Sequence, residues 1–150
     1  GFAFAHHMSP GDAVSEIARY RAAFRPSPEL AAPYAIASMN VIAAQSDDDA
    51  RALASSGRLA LLRMMQGQRD LPLPSVREAQ AHAYDDEDRA VLAAFESHAI
   101  VGSADRVAAE LRSFCEASRV DEIMVLSMIH DHDARCRSLS LVRDVLATLP

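Results

Sequence analysis

The fold of this chain is constrained most by three short apolar runs. They are separated by segments in which apolar residues recur at helical spacing. The runs are Phe2–Ala5, Tyr34–Ala44 and Glu122–Ile129. Continuous apolar runs of this length are typical of strands that are buried on both faces of a parallel sheet. Strands that alternate with helices are joined by crossovers, which make neighbouring strands parallel. The sequence therefore predicts an α/β fold whose three strands are adjacent and parallel.

Polar residues mark where the intervening helices begin. Ser9, followed by Pro10 and then by Asp12, predicts the first helix cap, because proline suits the first helical position. The polar residues 46–49 predict a second capped helix that ends near Met65, and residues 67–84 are expected to be a long connection. The predicted inner positions of the helices are Ala13, Ile17, Tyr20, Phe24, Val91, Leu92, Phe95, Val107, Leu111, Phe114, Leu139, Val142 and Leu146.

Length and composition exclude several classes of protein. The 150 residues are enough for one domain, expected to span 1–150, and the net charge of -6 argues against a nucleic-acid or anionic-membrane partner. Two cysteines are too few for a disulfide scaffold, so we expect a cytoplasmic protein. All basic residues are Arg and alanine is abundant, which indicates a bacterial source. The chain begins inside a predicted strand without an initiator Met, which indicates a fragment, a processed product or a leading glycine left by cloning.

Three stretches of the chain together resemble the luciferase-like, flavin-dependent monooxygenases. They are FAFAHHMSP at 2–10, IVGSADRVAAEL at 100–111 and DEIMVLSMIHDHDARCRS at 121–138. The segment 25–50 is similar to the seventh strand of that family with its flanks. The resemblance implies the C-terminal part of a (β/α)8 TIM-type barrel, about three βα units that supply strands six to eight. It also implies reduced FMN, or in some branches a deazaflavin, with O2 and an undetermined organic substrate.

The same resemblance implies that strands one to five, which carry much of the flavin site, lie outside this chain. We therefore expect the isolated chain to bind FMN weakly or not at all. It would pair with an N-terminal barrel half or self-associate, because a partial barrel leaves strand edges unpaired. Two alternatives stay open. The chain could be a truncated, non-catalytic assembly or interaction domain of the same fold, or, less favoured, a metal-dependent hydrolase.

Two histidines end the first predicted strand at the rim where a (β/α)8 barrel places its chemistry. His6 and His7 are candidate catalytic residues, but only one can face the pocket because side chains alternate along a strand. The resemblance implies that the position of His6 is near the flavin ring, so His6 is favoured and is also a candidate cofactor ligand. The alternative is a rim histidine bonded to a neighbouring loop.

The last strand is followed at the same rim by a second histidine group. His130 is a candidate catalytic residue, and the segment 130–132 as a whole is expected to anchor the final helix. Either Asp131 or Asp133 would cap that helix by accepting hydrogen bonds from free N–H groups. Metal ligation is disfavoured, since spacing alone does not show ligands that converge. Arg135 and Arg137 could hold a phosphate, although solvated arginines are the favoured reading.

Gly102 and Ser103 are candidate cofactor-binding residues. They resemble the family's Gly-Ser or Gly-Thr turn, which could present N–H groups to a phosphate at a helix N-terminus. An N-cap with a permissive glycine before it explains the dipeptide equally well. The sulfur-containing residues Cys115, Cys136, Met39, Met124 and Met128 are expected to pack in the core.

Overall fold

The computed structural model of the chain describes residues 1–9, 11–96 and 98–149. Within these residues the chain forms a four-stranded parallel sheet and the helices that pack on it. The elements, in chain order, are β1 (Phe2–Phe4), α1 (Ala13–Ala23), β2 (Ala35–Ala44), α2 (Asp47–Met65), α3 (Val76–Ala81), α4 (Asp86–Glu96), β3 (Ala99–Ser103), α5 (Ala104–Ser118), β4 (Glu122–Leu126) and α6 (His132–Leu146). The predicted α/β class with parallel strands is confirmed.

β2 is the central strand of the sheet. Its residues Ile36 and Ala37 pair with both β1 and β4, and Asn40 pairs with both β3 and β4. A strand has only two edges, so β1 and β3 lie one after the other along the edge opposite β4. The three predicted strands are therefore adjacent and parallel, as expected. β3 is a fourth strand, which the three apolar runs did not predict.

Helices cover one face of β2. The odd-numbered side chains of β2 are buried, and Met39 and Val41 pack against Val107 and Leu111 of α5 and Val142 of α6. Alternation along a strand places these positions on one face. Near the N-terminal end of β2, on the same face, Ala13 and Ile17 of α1 pack against Ala35 and Ala37. The core thus lies between the sheet and a layer formed by α1, α5 and α6.

A second packing unit lies near the C-terminal end of β2. Ile42 and Ala50 pack with Ile129, while Leu59 and Leu62 of α2 pack with residues of α3 and α4. A Cβ atom on Gly57 would come within 2.9 Å of the Cβ of Met128, so glycine permits the close approach of α2 to the segment after β4. The segment 67–84, expected to be only a connection, contains the short helix α3.

Several expected boundaries and inner positions differ from the structure. Asp12, not Ser9, caps α1, because its carboxylate accepts from the N–H groups of Val14 and Ser15. Leu139 is 40% exposed, because the inner face of α6 follows Ala134, Ser138, Val142 and Val145 instead. Pro10 and the Phe95 side chain lie outside the described residues. None of the described helices has the length and apolarity needed to span a membrane.

Candidate functional site

The face of the sheet opposite the α1, α5 and α6 layer carries the even-numbered residues of β2. Ile36, Ser38 and Asn40 are only partly buried. Their register partners on β4 point to the same side, and of these Met124 is 54% exposed. We call this surface the open face; it comprises Ala3, Ile36, Ser38, Asn40, Glu122, Met124 and Leu126. Met124 and Met128, expected in the core, are exposed, because their positions alternate away from the helix layer.

His7 joins the open face at the C-terminal end of β1. Its Nδ1 lies 3.0 Å from the hydroxyl oxygen of Ser38, and its backbone N–H donates to the Ser38 carbonyl at 3.1 Å. Which atom donates in the side-chain bond depends on the imidazole tautomer. Both contacts fix the ring beside the middle of β2.

His6 points to the opposite side of the sheet. Phe2 and Phe4 pack toward α1, and His6 continues that alternating series into the helix layer. Its ring centroid lies 5.6 Å from that of Phe114 in α5 and 4.9 Å from that of His98. Burial lowers the pKa of His6, and the nearby His98 lowers it further. The two histidines therefore point to opposite sides of the sheet, with His7 on the open face and His6 in the helix layer.

Asn40 is a candidate binding residue that sequence reasoning missed. Its side-chain oxygen is buried without a hydrogen-bond partner, and the hydroxyl of Ser127, which follows β4, is also buried and unpartnered. Buried polar atoms in proteins are nearly always bonded, so the unpartnered Asn40 oxygen favours an external partner. The available signal was a lone carboxamide within an otherwise apolar run, YAIASMNVIAA.

The segment 130–132 follows β4 and lies at the same end of the sheet as His6 and His7, as expected for parallel strands. Asp131 caps α6, accepting from the Ala134 N–H at 2.7 Å, so the capping prediction is confirmed. His130 and His132 are exposed, and His132 contacts Arg135 and Cys136. Cys136 is exposed rather than packed in the core, since the first turn of α6 turns it outward. In the described parts of the chain, no three His, Cys, Asp or Glu side chains are grouped as metal ligands.

Gly102 and Ser103 lie at the junction of β3 and α5, where Ser103 caps the helix. The Ser103 N–H donates to a carboxylate oxygen of Asp47 at 2.7 Å, and this bond is the main reason that the pKa of Asp47 is lowered. A Cβ on Gly102 would lie 2.6 Å from the Arg106 side chain and 2.9 Å from Asp47, so the position requires glycine. Asp47 therefore occupies one of the N–H groups that a phosphate site at Gly102 and Ser103 would use.

Comparison with known proteins places the chain among longer relatives. No protein-family model matches it. It is 35% identical over 144 residues to the luciferase-like monooxygenase of Escherichia coli (strain K12), covering 96% of this chain and 43% of that protein. It is 34% identical over 144 residues to the uncharacterized protein YvbT of Bacillus subtilis (strain 168), with the same coverage of 96% and 43%.

A solved structure agrees with the sequence relatives. The crystal structure of apo-MsnO8 matches with a TM-score of 0.86 and 34% identity over 99% of this chain and 45% of that chain. The chain thus spans less than half the length of the relatives it matches. The resemblance inferred from the sequence is confirmed. This α/β chain with parallel strands is similar to the luciferase-like monooxygenases over nearly its whole length. The share of those proteins that it covers fits the C-terminal portion of their fold.

Proposed function

We propose that this chain supplies one wall of the flavin and substrate pocket of a luciferase-like monooxygenase, an oxidoreductase that uses reduced FMN and O2 on an organic substrate. The observation that carries the proposal is the 35% identity, over 96% of the chain, to the Escherichia coli luciferase-like monooxygenase. A deazaflavin is the alternative cofactor. The pocket wall in this proposal is the open face together with His7.

The residues of the open face suit a flat, mostly apolar ring with polar edges. Met124, Leu126 and the nearby Met128 offer apolar surface, whereas Asn40 offers a buried polar atom without a partner. Small-molecule sites in general combine a predominantly apolar lining with a few placed polar groups. Asn40 Oδ1 would accept a hydrogen bond from a ring N–H.

When bound, reduced FMN would supply the electrons that activate O2. The protein would position the ring and the substrate, and the methionines would exclude water from them. His7, whose Nδ1 is oriented by Ser38, would exchange a proton through Nε2 on the far side of its ring. His130 would contact the substrate from the rim. The proposal gives no role to His6, which faces the helix layer, or to Gly102 and Ser103, because Asp47 already holds the Ser103 N–H.

NMR titration of the isotopically labelled chain with FMN tests this proposal even when binding is weak. We expect fast-exchange shifts of the backbone amides of His7, Ser38 and Asn40, while those of Ile17 and Leu111 in the helix layer stay in place. Asn40→Ala should reduce the shifts, whereas Ser140→Ala, an exposed position on α6, should leave them unchanged. Shifts confined to the helix layer, or shifts that persist unchanged in Asn40→Ala, would contradict the proposal.

A second candidate function is a non-catalytic assembly domain of the same fold. The observation in its favour is the exposed apolar surface at Met124 on the open face and at the nearby Met128. The same titration separates the two functions. Absence of flavin shifts, combined with association through the open face, would support the assembly domain.

A further inference from the structure

His6 and His98 meet on the helix side of the sheet, away from the open face. His6 follows β1, and His98 immediately precedes β3. Because β1 and β3 lie along the same edge of β2, the end of one strand adjoins the start of the other. The two imidazole centroids are 4.9 Å apart, with the ring planes at 61°.

Both imidazoles carry a nitrogen that is buried and unbonded. The Nδ1 atoms of His6 and His98 have no hydrogen-bond partner in the structure. The two rings line one cleft of about 330 Å³, whose walls also include Glu110, Ser113 and Phe114. Unsatisfied buried polar atoms in such a cleft require a partner, which can be a water molecule or an ion.

The spacing of the two rings fits a shared metal ion. Imidazole nitrogens bind Zn²⁺ at about 2.0–2.1 Å, so two imidazoles on adjacent ligand positions have centroids roughly 4.5–5.2 Å apart. The observed 4.9 Å falls within this range. We propose that His6 and His98 form a binding site for a divalent transition-metal ion that prefers imidazole ligands, such as Zn²⁺ or Ni²⁺.

Water completes the coordination in this site. Glu110 lines the same cleft, but its carboxylate already accepts from Arg106 Nε at 2.8 Å. No third His, Cys, Asp or Glu joins the pair among residues 1–9, 11–96 and 98–149. A bound ion would tie the end of β1 to the start of β3, and it would do so independently of the proposed flavin pocket.

Zinc titration calorimetry of the chain without a polyhistidine tag tests the site. The exposed pair His132 and Cys136, with Nε2 and Sγ 3.6 Å apart, is a competing site, so all variants are compared in a Cys136→Ser background. We expect His6→Gln and His98→Gln each to weaken zinc binding by roughly tenfold or more, since loss of an inner ligand exceeds the effect of losing an outer partner. His130→Gln is the matched control and should bind as the background does.

A second measurement uses the unsubstituted chain and so does not depend on whether the histidine variants fold. Paramagnetic Co²⁺ added to the unsubstituted, labelled chain should broaden the amide resonances of His6, His98 and Phe114 first. Zinc binding that survives both glutamine substitutions, or broadening centred on His132 and Cys136, would overturn the proposal. Absence of any zinc binding would overturn it too and would leave water as the partner of the two imidazoles.

Discussion

Ser138 shows how a single buried hydroxyl supports the central strand. Its Oγ accepts from the backbone N–H of Ala43 at 3.0 Å, and the residue is 1% exposed. β4 pairs with β2 only as far as Asn40, so the Ala43 N–H on that side depends on this side chain instead of a neighbouring strand. A hydroxyl on a helix thus substitutes for a missing strand partner.

Ser138→Ala should destabilise the chain by about 1–3 kcal/mol, because it leaves the buried Ala43 N–H without an acceptor. Chemical denaturation followed by circular dichroism measures the change. The matched control is Ser140→Ala on the exposed side of the same helix, expected within about 0.5 kcal/mol of the parent. Equal stability of the two variants would show that the Ala43 N–H finds another partner.

His6 and His7 show what the sequence predicts about single side chains and what it does not. Alternation along β1 correctly predicts that His6 and His7 point to opposite faces. Which of them lies on the open face depends on the phase of the strand, and that phase is set by packing of Phe2 and Phe4 against α1. Since residues 2–5 are all apolar, the run does not show whether its phenylalanine face or its alanine face packs against the helices. Asn40, which the sequence analysis did not single out, is the one carboxamide in the largely apolar run 34–44.

At the scale of whole elements, the N-terminus of α6 depends on one carboxylate. Asp131 accepts from the Ala134 N–H, whereas Asp133, two residues later, is exposed within the first turn. Asp131→Ala should therefore cost about 1 kcal/mol of stability. Asp133→Ala, which removes the same charge near the helix dipole, should cost less. Thermal unfolding of both variants checks this, and an equal loss would mean that charge rather than capping matters.

Asp47 joins two elements, since it begins α2 and holds the first turn of α5. Its pKa is lowered chiefly by the hydrogen bond from the Ser103 N–H and further by Arg106. A group whose pKa is lower when folded stabilises the folded state above its ordinary pKa, here 3.8, and loses that effect as the pH falls through the folded-state pKa. The link between α2 and α5 is therefore sensitive to acid.

Asp47→Asn should lower the unfolding temperature at pH 7, and its difference from the parent should shrink below about pH 4, where the parent carboxylate also becomes neutral. Thermal melts across pH 3–7 measure this. Asp48→Asn is the control, because Asp48 is exposed and pairs with Arg51 only within α2. A difference for Asp47→Asn that is constant across the pH range would contradict the electrostatic explanation.

Elements with a strong periodic pattern were predictable, and those defined by tertiary contacts were not. α2 begins and ends as its polar start and apolar spacing indicate. β3 is only five residues long, and it forms because it pairs with the part of the β2 edge that lies beyond β1. α3 lies in a segment interrupted by Pro72 and Pro74, and its stability comes from packing of Ala79 against α2 and α4. Such contacts are not visible in a local sequence pattern.

At the scale of the whole molecule, the alternation of strands and helices was sufficient to predict the α/β class and parallel pairing. It did not reveal the order of strands around β2, because edge sharing by β1 and β3 depends on their different registers. The open face was implied only by the barrel resemblance. In the structure it appears directly, as partly exposed residues on the central strand of the sheet.

The open face and the outer strand edges lead to a prediction about association. Among the described residues, β1 and β4 each pair only with β2, so their outer edges have no strand partner. Unpaired edges and exposed apolar surface are the usual determinants of association between chains. At about 25 cal/mol per Å², several hundred Å² of such surface corresponds to on the order of 10 kcal/mol, comparable to the stability of a domain.

We therefore expect the chain to self-associate in a concentration-dependent way when no partner covers the open face. Light scattering coupled to size-exclusion chromatography measures the mass over a dilution series. Met124→Lys places a charge on the open face and should shift the population toward monomer. Leu139→Lys, at a 40% exposed position on α6, is the matched control and should leave association unchanged. A folded monomer at every concentration would contradict the prediction, because the open face would then be stable in water without a partner.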